Sequence, residues 1–176
     1  MTNHGYLLRT VAHFLSYPDQ EWYDTLQSSV DIVRQEANAL PQELEVLQEF
    51  VDYIKEQGLD AYESDYVKAF DFSQNTNFYL TMHNRTDFGK QSEDLQMYKR
   101  LFLDNGLDIE HELPDYLPAL LELASHVDEK NALDILNAMQ SSLEVMRERF
   151  IEGKLIHAFL LELIFIEKNR LEGVTA

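Results

Sequence analysis

Residues 136–150 read LNAMQSSLEVMRERF, and their pattern decides the fold class. Leu136, Met139, Leu143, Met146 and Phe150 recur at intervals of three, four, three and four, which lines up apolar side chains on one face of an α-helix. Such a seam serves core packing more commonly than a coiled coil. The same spacing extends outward in both directions. Tyr6, Leu7, Val11, Phe14 and Leu15 make a first stripe, and SYPD at 16–19 ends it with a proline and new capping residues. A second helix is predicted over 19–38. Pro41 opens a third, in which Leu44, Leu47, Val51 and Ile54 keep the period until Gly58 stops it. Asp60 and Glu63 have capping-box spacing, so a fourth helix carrying Tyr62, Tyr66, Val67 and Phe70 is expected after them. Residues 71–91, DFSQNTNFYLTMHNRTDFGKQ, break the period and predict an irregular connection holding at most one short helix around 78–82. Leu95, Tyr98 and Phe102 then mark a helix ending at Asn105 and Gly106. ELPDYLPALLELA at 112–124 begins another that runs to about 127. The last helix, 154–171, is apolar on most faces and is expected to lie centrally. No alternating β-branched run is bounded by hairpin turns, and nothing repeats at a fixed period. The prediction is an all-α chain: a single compact helical bundle domain over 1–176, with roughly seven to nine helices.

Composition narrows the function. Of 176 residues, 45% are hydrophobic and 26% charged, the profile of a folded chain able to bury its own core. Fourteen Lys and Arg against 32 Asp and Glu leave a formal net charge of -18. Nucleic acids bind through neutralised phosphates, and this surface repels them at long range. Anionic membranes are disfavoured likewise, whereas a basic peptide is drawn in; the equal alternative is that the acidity serves solubility alone. The absence of cysteine excludes disulfides, thiolate nucleophiles and Cys-ligated metal. The N-terminal residues lack a basic region followed by a long apolar one, so no secretory signal is read there. The most apolar stretch, AFLLELIFI at 158–166, is short of the ~18 residues a membrane span needs. A cytoplasmic protein without membrane insertion is expected.

Tests for catalytic chemistry fail one by one. His111 and Glu112 begin like a zincin helix, but the second ligand position four residues on is Asp115. No Glu is followed by His three residues later, as di-metal bundles require. Glu122 and His126 can share a helix face and form the one pair from which a metal-dependent helical enzyme could be argued. The six glycines stand in no phosphate-loop frame. No catalytic residue, metal ligand or cofactor of the chain's own is predicted. What remains is surface recognition: aromatics beside carboxylates, Tyr66, Phe70 with Asp71, Phe72, Phe78, Tyr79, and Tyr116 next to Asp115. An apolar groove rimmed by acids suits an amphipathic peptide with a basic face. For each aromatic taken singly, core filling is the stronger reading.

Taken in order, LSYPDQEWY (15–23), YVKAFDFS (66–73), TNFYLTMH (76–83) and ELPDYLPALLELA (112–124) resemble the NarJ family. These are the molybdenum cofactor assembly chaperones of respiratory nitrate reductase, also called its delta subunit, within the TorD/DmsD-like redox enzyme maturation chaperones. The resemblance implies a cytoplasmic, non-catalytic, all-helical chaperone. Its partner would be the nitrate reductase alpha subunit, bound at the N-terminal segment before the cofactor is inserted and before docking on the membrane subunit. The molybdenum cofactor would belong to the client, and a chaperone for another molybdoenzyme differs only in client. A monomer and a helix-exchanged dimer are both compatible. By position, the family's Phe-Asp pair falls on Phe70 and Asp71, and its acidic-Pro-Asp element on Glu112, Pro114 and Asp115. Where the wider group often has His, Tyr116 stands here, as is typical of the nitrate reductase branch. Where members place an Arg before a Gly, this chain has Phe88.

The expected peptide groove thus comprises Tyr66, Phe70, Asp71, Glu112, Pro114, Asp115, Tyr116, Pro118 and Leu121. Its two prolines need not distort the helix. With Asp115 as N-cap, Pro118 falls at the third helical position, where a missing N–H breaks no intrahelical bond. Pro114 would fix the approach from outside.

Overall fold

Pro41 and Gly58 bracket a helix as their chemistry demands, and so do most of the start and stop signals. The computed structural model describes residues 2–84 and 88–175, among which are eight α-helices. They are α1 (Asn3–Leu15), α2 (Gln20–Glu36), α3 (Pro41–Gln57), α4 (Leu59–Tyr66), α5 (Phe88–Asp104), α6 (Leu117–His126), α7 (Glu129–Glu152) and α8 (His157–Thr175). The all-α expectation holds. Among the described residues there is no β-strand, only a bridge between Tyr79 and Tyr116.

Local chemistry explains the boundaries. The Asp19 carboxylate accepts from the Trp22 N–H at 2.8 Å, so Asp19 caps α2, and Asp128 caps α7 through Asn131 at 2.9 Å. Gly106, at φ 76°, closes α5 in a Schellman motif: its N–H reaches the Leu103 carbonyl, and that of Leu107 reaches Phe102. Two expectations need correction. Asp60 does not cap α4, because Gly58, at φ 84°, ends α3 and starts α4 in one step, leaving Asp60 inside the first turn. And α5 begins at Phe88, within the stretch read as irregular. Of that stretch, residues 85–87 lie outside the described residues, so Asp87 beside Phe88 does too.

Helix α1 is the hub. Nine of its 13 residues are buried, and it packs against α2, α6 and α8. The seam of α7 is core: Leu136, Met139, Leu143, Met146 and Phe150 are all buried, and α7 lies along α8. Helix α8 also meets α1 and α3, so its expected central position holds, although Phe159 remains exposed on it. The buried apolar side chains form one cluster. No helix of the described residues is long and apolar enough to cross a membrane.

Candidate functional site

The site begins where α4 runs out of ordinary helix. Residues Val67–Asp71 form a π-helical turn, whose Phe72 N–H reaches back to the Val67 carbonyl. A π turn widens the ladder by one residue and rotates the side chains beyond it. Here it splits the Phe-Asp pair. Phe70 turns inward, stacked on Phe78 with centroids 4.4 Å apart and edge-on to His157 at 4.6 Å. Asp71 and Phe72 turn out to solvent, Phe72 at 82% exposure.

A second feature fixes the start of α6. The backbone before it pairs with the backbone at 78–80: Leu80 donates to the Asp115 carbonyl at 3.0 Å, and Leu117 to that of Phe78 at 2.9 Å. Asp115 lies inside the turn that the Tyr116 N–H closes on the Leu113 carbonyl, and its side chain is taken by Thr81, so it does not cap its own helix. Tyr116 is the N-cap, and Pro118 falls at the second helical position, where its lacking N–H still breaks no bond. The Asp115 carboxylate is fully buried and points across the bridge. Its Oδ2 accepts from the Thr81 backbone N–H at 3.0 Å and from Thr81 Oγ1 at 2.7 Å, while Oδ1 has no partner. The single-turn 3₁₀ helix Leu80–His83 is also held from α7. Arg149 donates to His83 Nδ1 at 3.0 Å, which leaves Nε2 to carry the proton given to the Asn77 carbonyl at 2.8 Å. Burial accordingly lowers the His83 pKa, and the ring is neutral.

The nine expected groove residues therefore divide. Tyr66, Phe70, Asp115, Pro118 and Leu121 are buried and present no surface to a ligand. Asp71 and Glu112 are exposed, and Pro114 and Tyr116 are half-buried. What faces solvent is a row of tyrosines. Tyr79 and Tyr116 lie with ring centroids 5.3 Å apart, and the Tyr79 hydroxyl donates to Glu112 at 2.9 Å. Tyr66 continues the row below the surface, its hydroxyl donating to the Leu15 carbonyl at 2.8 Å. Tyr17 stands edge-on to Tyr66 at 5.8 Å, is 47% exposed, and donates to Glu63. Burial pushes the Tyr116 phenol up to about 12 and raises that of Tyr79, so both remain neutral donors near pH 7. Glu63, Asp71 and Glu112 give the row its charge.

Sequence reading missed Tyr17 in this role, and it missed a cleft of about 630 Å³ between α1 and α2 that Tyr17 also lines. Tyr6, Trp22 and Ile32 supply apolar wall, and Asp19, Glu21 and Glu122 supply carboxylates. The indole N–H of Trp22 donates to the His13 carbonyl at 2.6 Å, and its ring stacks on Tyr62 at 5.4 Å. LSYPDQEWY marked the place, since it contains Tyr17, Asp19, Glu21 and Trp22, but the cleft itself exists only once α2 packs on α1 with α6 alongside.

The Glu122 and His126 pair does not come together through its side-chain termini. His126 Nδ1 lies 2.8 Å from the Glu122 backbone carbonyl and 3.0 Å from Ser125 Oγ, at the end of α6. Among the described residues no group of three or more His, Asp or Glu is arranged to hold a metal ion.

Comparison with known proteins bears on this geometry. The family model described as "Nitrate reductase delta subunit" matches residues 36–155. A Bacillus subtilis (strain 168) protein named "Probable nitrate reductase molybdenum cofactor assembly chaperone NarJ" is 30% identical over 151 residues, covering 85% of this chain and 81% of that protein. With a match over more than half its length and an all-α architecture, this chain belongs to the nitrate reductase delta subunit family, that of the NarJ chaperones.

Proposed function

We propose that the chain is an assembly chaperone of nitrate reductase. It binds the N-terminal segment of the apo catalytic alpha subunit and keeps the enzyme open to molybdenum cofactor insertion before membrane docking. The chain itself catalyses nothing, and the cofactor belongs to the client. The observation that carries the binding step is the acid-rimmed tyrosine row. Tyr79 and Tyr116 offer apolar faces and neutral hydroxyls, while Glu63, Asp71 and Glu112 offer charge to a basic peptide. Aromatic side chains with few rotatable bonds give contact area at low entropic cost. Kinship with a nitrate reductase chaperone supports the choice of client.

Calorimetry with a synthetic peptide of the alpha-subunit N-terminus tests the reading. Binding is expected at low salt, and Glu112→Lys is expected to weaken it by about ten-fold, the equivalent of about 1.4 kcal/mol. Absence of binding at low salt overturns it.

A further inference from the structure

The tyrosine row does not end at Tyr17. That residue belongs to two surfaces at once: it is edge-on to Tyr66 on one side and lines the α1–α2 cleft on the other. A large aromatic ring left 47% exposed at the junction of two concave surfaces is a natural support for a chain crossing from one to the other.

We infer that the client segment continues over Tyr17 into the α1–α2 cleft, where an amphipathic stretch lays its apolar side on Ile32 and Tyr6, above the buried Trp22, and meets Asp19, Glu21 and Glu122 with basic side chains. This rests on the reading of the chain as a chaperone of a basic N-terminal segment, and it extends the bound length beyond the row. Volume fits first, since about 630 Å³ is within the range of clefts that enclose several side chains. Charge fits next. Three carboxylates stand in the cleft, adding to Glu63, Asp71 and Glu112 along the row. One guanidinium, Arg9, shares the cleft and makes no ion pair among the described residues. It marks the point where the client carries no cation, and so sets register as well as attraction.

The cleft's hydroxyls argue for apolar anchoring. Ser28 and Ser29 both donate to the Thr25 carbonyl at 2.9 Å, and Thr25 donates to that of Glu21 at 2.9 Å. These donors are already satisfied within α2, so they ask for no partner from the client. Ile32, 47% exposed on the wall of the cleft, is left as the apolar contact available to a ligand.

The chain has no cysteine, so single-cysteine variants place a photoreactive group at one chosen point. Benzophenone-maleimide would be attached to Ile32→Cys in the cleft, to Leu113→Cys beside Glu112, and to Leu103→Cys on α5, which lines neither surface. All three positions are exposed, so the substitutions leave the core intact. On irradiation with the synthetic alpha-subunit peptide, cross-linking is expected at 32 and 113 and not at 103. Cross-linking at 113 with position 32 no better than 103 overturns the cleft and leaves the row standing. If calorimetry detects no binding to the unmodified protein, the client reading fails and the cleft with it. Ile32→Lys gives an independent measure: it adds a cation where the client is basic, and about ten-fold weaker binding is expected, with helicity by circular dichroism unchanged. Unchanged affinity in that variant also counts against the cleft.

Discussion

At the scale of one residue, Asp115 is where sequence and structure part. Its place after a proline and before an apolar helical run suits an N-cap, and the turn that the Tyr116 N–H closes on the Leu113 carbonyl removes that option. Its carboxylate instead fastens the 3₁₀ turn to the start of α6 through two bonds to Thr81. Asp115→Ala leaves a buried backbone N–H and a buried hydroxyl without their acceptor, and is expected to cost about 1–3 kcal/mol, the penalty for leaving buried donors unsatisfied. Asp115→Asn keeps an acceptor oxygen for Thr81 and should cost less. Urea denaturation of both variants, with Thr81→Ala and the double mutant completing a cycle, measures the coupling. Additive losses would show that the Thr81 hydroxyl contact carries no such energy, since Thr81→Ala keeps the backbone N–H. The consequence for function is indirect: Tyr116 and Glu112 flank this anchor, so a loosened Asp115 should weaken peptide binding through their placement.

At the scale of elements, the boundaries were legible wherever one residue's own chemistry sets them. Pro41, Gly58, Gly106 and Asp19 all act as their types require. Gly58 offers a clean test. A Cβ added there would meet nothing within 4 Å, so any cost of Gly58→Ala comes from its backbone at φ 84°, ψ 155° alone. About 1–3 kcal/mol of thermal or urea stability should be lost. What could not be read from sequence is whatever depends on a distant partner. The π turn at Val67–Asp71 goes with inward stacking of Phe70 on Phe78 and His157, which no local pattern announces. The join of α3 to α8 is of the same kind. Glu43 is buried at the start of α3, where it accepts from the Leu40 N–H at 2.6 Å and from Arg170, and Arg170 also holds buried Glu167 at 2.6 Å. Burial pushes the Glu167 carboxyl up to about 7, with Arg170 opposing and Glu43 and Glu129 adding repulsion. The folded pKa lies above the unfolded one, so protonation favours the folded state. This contribution is full below about pH 4.5 and is lost as pH rises through about 7. Urea midpoints between pH 5 and pH 8 should therefore fall less in Glu167→Gln than in the unsubstituted chain; equal slopes would remove Glu167 as the cause.

At the scale of the whole molecule, the net charge of -18 serves solubility and attracts a basic partner equally well, and the fold decides where that charge acts. Sequence reading placed Asp71, Glu112 and Tyr116 at the surface concerned. It also nominated Tyr66, Phe70, Pro118 and Leu121, which are covered, because hydrophobic periodicity does not separate a groove's floor from a sealed core. Only tertiary packing shows Tyr17 linking the tyrosine row to the α1–α2 cleft. The carboxylates concerned, Glu63, Asp71 and Glu112 on the row and Asp19, Glu21 and Glu122 in the cleft, are exposed or half-exposed, so their pull on a peptide is open to screening by salt. The Debye length shrinks from about 10 Å at 0.1 M to about 3 Å at 1 M, which erases long-range attraction but leaves apolar contact intact. Peptide affinity should therefore fall with added salt toward a plateau rather than to nothing, the plateau measuring the aromatic and apolar share. Calorimetric titrations across that range separate the two. A salt-independent affinity would show that the acidic rim contributes nothing, and a fall with no plateau would show that the tyrosines do not bind the client.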